Sequence, residues 1–241
     1  MCSKLLIAVC LLAYISVATA ASASFIKKCK WEDSTCIKES TQAAIPVFAA
    51  GIPELGIEKL DPLHYDKLNA SSETLILLLE DIVITGVKDC QAKKIQRDVP
   101  KEKLIVKALC TVDLNGQYEM NGRLLFLPIQ GKGKVHAVLR KVMINVEGDV
   151  VEKKGKDGKV HWDIKSWKHT YELKDKASIE LENLFQGNEV LGRAARELLD
   201  SSANEVIGEV GPPIIKALLT KVIKVVDRFF REVPAEELTL D

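Results

Sequence analysis

Residues 205–231 read EVIGEVGPPIIKALLTKVIKVVDRFFR, and the fold turns on how this stretch winds. At about 3.6 residues per turn, Ile214, Leu218, Val225 and Phe229 fall on one stripe, with Ile215, Val222 and Val226 beside it. Lys216, Thr220, Lys224, Asp227, Arg228 and Arg231 gather on the opposite side. The apolar arc takes in roughly half the circumference, wider than the ~100° stripe of a helix lying on a single neighbour. Such a helix needs partners on several sides, and the chain before it is rich in strand signals. Pro212 and Pro213 predict a kink or a fresh helix start, because proline removes a donor and crowds the preceding turn. Pro234 closes the helix. The reading is a long apolar helix wrapped by sheet.

Working back along the chain, residues 189–201 form a shorter helix that Asn188 can cap. Residues 74–182 read as successive strands without intervening helices, which favours an antiparallel meander over βαβ units. Leu104, Val106, Ala108, Cys110, Val112 and Leu114 share one parity. Val135, Ala137 and Leu139 are odd-numbered, whereas Val142, Ile144, Val146 and Val150 are even, so a bulge is expected near Arg140. Asn115-Gly116 reads as a hairpin turn and Asn121-Gly122 as a second turn or bulge. Residues 153–159 read as an exposed lysine-rich hairpin tip, followed by strands at 160–168 and 169–181. Further upstream, Asp33 or Ser34 caps a helix that ends at Ala50, with Gly51 and Pro53 preventing its continuation.

The N-terminus carries Lys4, an apolar run over residues 5–17, and then the small residues Ala18, Thr19 and Ala20. This is the pattern of an export signal, 1–20, cleaved after Ala20 or alternatively after Ala23. Residues 21–241 are read as one domain, released to the extracellular space as a soluble protein. In that compartment four cysteines remain, giving two disulfides or buried thiols. Cys29 and Cys36 are close enough to close a short loop. Cys90 and Cys110 each lie ten positions from Pro100, so a hairpin centred there sets them face to face. Asn69-Ala70-Ser71 is a glycosylation acceptor in a polar setting.

The 34 basic and 34 acidic residues cancel, giving no electrostatic basis for a nucleic-acid partner. No later stretch offers the ~20 apolar residues of a membrane span, so stable membrane insertion is not expected. His64, His136, His161 and His169 are scattered, and there is no nucleophile elbow, so the chain does not read as an enzyme. Gly131-Lys132-Gly133-Lys134 is too short for a phosphate loop and reads as a bend at a strand end. Of the adjacent Glu80 and Asp81, one points inward if the strand is regular; a solvated edge is the commoner arrangement. No cofactor and no metal are called for.

Four segments carry a resemblance. They are Cys29 and Cys36 with six residues between; LPIQGKG at 127–133; NLFQGN at 183–188; and FREVPAEEL at 230–238. In their order and spacing the chain resembles the insect Takeout and haemolymph juvenile-hormone-binding-protein family over nearly its whole mature length. The resemblance implies an α+β fold: a highly curved antiparallel β-sheet wrapped around the long C-terminal α-helix, with an internal hydrophobic tunnel. It also implies the Cys29–Cys36 pair; the Cys90–Cys110 pair rests on the hairpin register alone. The function expected is a secreted carrier for a small lipophilic ligand, whether a juvenile-hormone-like terpenoid, fatty acid derivative or quinone, in haemolymph or sensory or epithelial fluid. Phe48, Ile214, Leu218, Val222, Val225 and Phe229 are the expected tunnel wall. Two other classes fit the same pattern. One is a membrane-active protein using the last helix as an interfacial amphipath; the other is an extracellular interaction protein that binds a receptor or carrier-complex partner.

Overall fold

The computed structural model describes residues 23–241; the expected export signal, with Cys2 and Cys10, lies outside the described residues. Helix α1 spans Ser34–Ala50, with the Asp33 carboxylate accepting from the Cys36 amide and Gly51 as C-cap. Seven strands follow: β1 Leu63–Asn69, β2 Leu75–Thr85, β3 Gln91–Asp98, β4 Lys103–Leu124, β5 Leu127–Lys154, β6 Val160–Leu173 and β7 Ser178–Leu181. Helix α2 covers Glu189–Ser201, capped by the Asn188 side chain, and α3 runs over Ala203–Glu232.

All seven strands belong to one antiparallel sheet organised on the β4–β5 hairpin. Each long strand changes partner midway. β4 pairs with β3 over its first half and with β2 over its second, while β5 pairs with β7 and then β6. At the changeover the β4–β5 register shifts between Cys110 and Val112, and Lys141 adopts a φ of 49°. This is the bulge that the parity switch near Arg140 required, and it turns the apolar faces of both halves to the same side. Helix α3 lies on that side. Tyr65 of β1 donates to the Ala217 carbonyl at 2.7 Å, and Asp227 accepts from the Ile164 amide of β6 at 2.8 Å. Glu209 accepts from the Leu125 amide at the β4–β5 turn. The helix is thus fastened to three separate parts of the sheet.

Several local expectations fail for identifiable reasons. Asn115-Gly116 is not a turn but the middle of β4, where Gly116 faces the bulged segment at Glu80–Ile82; a Cβ there would come within 3.0 Å of the Glu80 carbonyl. Gly122 is also within β4, at a φ of 142° that accommodates the Thr74 carbonyl. The turn itself uses Leu125 (φ 52°) and the exposed Phe126, residues without turn character. Gly131 and Gly133 are interior to β5, leaving room for the Tyr118 hydroxyl and the Glu182 carbonyl. Glu80 and Asp81 are both solvated, the commoner of the two arrangements, although β2 is not an edge strand but lies between β1 and β4; Asp81 is the bulged residue. Strand β6 continues through His169 to Leu173, and β1 carried too little alternation to be read beforehand. The paired prolines do not restart α3, which continues unbroken from Ala203.

Candidate functional site

Between α3 and the sheet the interior is not filled. A cavity of about 350 Å³ is bounded by inward residues of β3, β4, β5 and β6 together with α1 and the C-terminal half of α3. A second, of about 100 Å³, is bounded by β2, β4, β5 and β7, by Leu199 of α2 and by the N-terminal half of α3. Leu218 and Val112 border both, so the two spaces adjoin at the level of the bulge. The wide apolar arc of α3 supplies one wall of each.

The residues singled out in the sequence divide between these spaces. Ile214 faces the smaller cavity, Leu218 both, and Phe48, Val222 and Phe229 the larger. Val225 is 8% exposed and belongs to the packed core, lining neither. The helix is buried on more than one flank, and periodicity alone does not separate a flank facing space from one facing side chains. At one end of the larger cavity Trp162 stacks near Trp31 and Phe230, with centroids 5.0 and 5.1 Å apart, and Phe48 meets Phe229 edge-on at 5.0 Å. Both cystines are formed. Cys29–Cys36 has its Cα atoms 5.8 Å apart, and Cys90–Cys110, 4.4 Å apart, closes the open end of the β3–β4 hairpin. That hairpin is offset from strict symmetry, and a register shift between Ala92 and Lys94 restores direct opposition at the cysteines.

The walls are apolar with few exceptions. Ser40 borders the larger cavity, but its hydroxyl donates to the Lys27 carbonyl and accepts from the Lys27 amide. Tyr118 borders the smaller one, yet its hydroxyl donates outward to the Glu182 carbonyl at 2.7 Å; burial pushes this phenol up to about 12, so it stays neutral. Arg97 is the exception that sequence reading missed. It sits at the inward parity of β3, two residues after Ile95, and only 8% of it is exposed.

On paired strands β4 and β5, His136 meets Asp113 at 2.9 Å, a hydrogen bond that raises the imidazole pKa. Among the described residues no group of three or more His, Cys, Asp or Glu is arranged to hold a metal. Asn69 is exposed at the end of β1, its side-chain carbonyl accepting from the Ser71 amide.

Fold and interior together define an α+β protein whose curved antiparallel sheet wraps a long C-terminal helix and encloses apolar space beside it. The chain belongs to the haemolymph juvenile hormone binding protein (JHBP) family, whose model matches residues 5–240. Its backbone is similar to that of Takeout 1 from Epiphyas postvittana, with a TM-score of 0.86, 30% identity, and coverage of 90% of this chain and 100% of the other. Among curated proteins it is similar to the circadian clock-controlled protein daywake of Drosophila melanogaster, 25% identical over 98% of this chain and 96% of the relative. The Drosophila yakuba counterpart is 24% identical over 94% and 93%.

Proposed function

We propose that this protein is an extracellular carrier of a small lipophilic molecule, held between α3 and the sheet. The observation that carries this reading is the apolar cavity of about 350 Å³, within the roughly 300–1,000 Å³ usual for small-molecule sites. Space of that kind is expensive to leave unfilled. At about 24 cal/mol per Å³, it withholds on the order of 8 kcal/mol from the unliganded chain. A guest that fills it recovers much of that and stabilises the folded state by mass action. Membership of a family named for hormone binding supports the same reading.

In this account Phe48, Ile214, Leu218, Val222 and Phe229 touch the ligand, and Leu218 with Val112 forms the partition that an elongated ligand passes to occupy both spaces as one tunnel. Val225 packs the core. Residues 1–20 direct export and are removed, and residues 21–241 act as one unit. Asn69 carries a glycan, readable as a mass loss on enzymatic deglycosylation. The chemistry is binding and release; no catalytic step is assigned. The interfacial-helix reading loses its basis, because Ile215, Leu218, Leu219, Val225 and Phe229 of α3 are buried inside the fold. Among the described residues no helix is long and apolar enough to cross a membrane.

Native mass spectrometry of protein recovered from its secreting source, followed by organic extraction, tests the proposal. One apolar molecule per chain is expected. Ligand-free protein in repeated preparations, together with no uptake of added lipids, would refute it.

A further inference from the structure

The larger cavity holds a cation that no carboxylate among the described residues neutralises by contact. Arg97 is more than nine-tenths buried on the cavity wall, and its Nη2 donates to the Val150 carbonyl at 2.8 Å. Its Nε and Nη1 are fully buried without an acceptor. A guanidinium carries five N–H donors, so most of this one's capacity is free. Glu152, Glu102 and Asp98 act on it through the field alone, and Asp98 is already engaged by Lys101 at 3.0 Å. Glu102 and Glu152 are exposed, so water screens them. Burial accordingly lowers the Arg97 pKa from the usual arginine value, the direction expected of an under-compensated cation. Water can occupy the free donors but does not supply the missing charge.

Beside Arg97 stand Leu104, its partner across the β3–β4 pair, and Val150, whose carbonyl it reaches; Trp162 and Phe230 line the same cavity. From Leu104 the inward face of β4 continues to Val112 at the partition, about 26 Å of strand at ~3.3 Å per residue. A charged head at one end of an elongated apolar channel is a polarity that a neutral terpene or hydrocarbon does not match.

We infer that the larger cavity takes an amphipathic ligand whose polar end is a carboxylate seated against Arg97, with its hydrocarbon chain lying along α3 toward Leu218: a long-chain fatty acid or acid of similar shape. This rests on the carrier reading and adds a headgroup, an orientation and a specificity residue to it. A carboxylate is acceptor-only, with two oxygens offering about four lone-pair sites, and it matches both the free donors and the uncompensated charge. Its hydrogen bonds are charge-assisted and, within a wall that excludes water, strong.

The test compares hexadecanoic acid with its methyl ester, which share a chain and differ in charge, by calorimetric titration of delipidated protein at neutral pH. The acid is expected to bind at least about tenfold more tightly than the ester. Arg97→Met is expected to bring acid affinity down to that of the ester while ester binding stays within about twofold, and Arg97→Lys to keep part of the preference. Removing an unpaired buried cation leaves the melting temperature of the ligand-free protein unchanged or raised, which a purely structural arginine would not do. Equal binding of acid and ester by the unaltered protein overturns the carboxylate assignment and leaves the carrier reading standing; this comparison needs no variant. A preference that survives in Arg97→Met overturns the role of Arg97. Binding of neither probe overturns the fatty-acid assignment; the carrier reading falls only if the protein recovered from its source also carries no apolar molecule.

Discussion

Val222 and Val225 are the same residue type on the same helix, three positions apart, and the account assigns them opposite roles. Val225 is 8% exposed and surrounded by core side chains, whereas Val222 borders the larger cavity. Val225→Ala removes two buried methyl groups, worth roughly 0.8 kcal/mol each in transfer, and leaves a hole in packed surroundings, for a loss of about 2–3 kcal/mol. For a chain of this size that lowers Tm by roughly 5–10 °C. Val222→Ala gives up methyl groups that already face space, so its loss is about 1 kcal/mol or less and about 3 °C or less. Enlarging the side chain reverses the contrast. Val222→Phe extends into the void and is expected to be tolerated while ligand affinity falls at least about tenfold; Val225→Phe overpacks the core and costs about 1–3 kcal/mol. Differential scanning calorimetry of ligand-free protein and displacement of a polarity-sensitive fluorophore read the two effects separately. Equal thermal losses in the two alanine variants, or undiminished binding in Val222→Phe, would refute the reasoning.

Three further outcomes follow from particular contacts. Leu218→Ala opens the partition between the two cavities, so relative affinity should shift toward longer-chain ligands, at a cost of about 2–5 kcal/mol in stability; titration across a chain-length series checks this. Asp163 is buried and ion-paired with Lys153 (2.6 Å), Lys165 (2.9 Å) and Arg231 (2.6 Å), and these contacts hold its carboxyl at about 2. Its folded pKa lies below the unfolded value, so its contribution is present above about pH 4 and is lost as pH falls toward 2, amounting to about 1–2 kcal/mol because the cations are half in water. In Asp163→Asn that part of the acid-unfolding profile should flatten. Replacing Cys90 and Cys110 together by alanine frees a hairpin whose bridged residues are 20 positions apart and should cost about 3 kcal/mol, measured by denaturant unfolding.

The parts of this architecture that the sequence discloses are those with a local or periodic cause. Helices α1 and α2 announce themselves through Asp33, Gly51 and Asn188, whose caps are made in the structure. The bulge near Arg140 is legible because a change of parity has no other geometric remedy. Other features depend on tertiary approach. Gly116 carries a turn signature with Asn115 but is glycine because the Glu80 carbonyl crowds it, and the true turn at Leu125-Phe126 is made of apolar residues. Long pairing on both edges of β4 outweighs local preference there. The cavity wall is the hardest part to read. Packed and space-facing positions on α3 share one hydrophobic pattern, so Val225 could not be told from Val222. Arg97 did leave a signal, an arginine in step with Ile95 on a strand tied down by a cystine, but the register shift beside Lys94 masks the alternation that would have marked it as inward.

The central claim is that a lipid occupies the space between α3 and the sheet, and a crystal structure of the protein as secreted, without delipidation, tests it most directly. The account predicts continuous elongated density along Val222 and Leu218, its polar end beside Arg97. A closed interior, with Val222, Trp162 and Phe230 packed against the β4 side chains and no density between them, would contradict it.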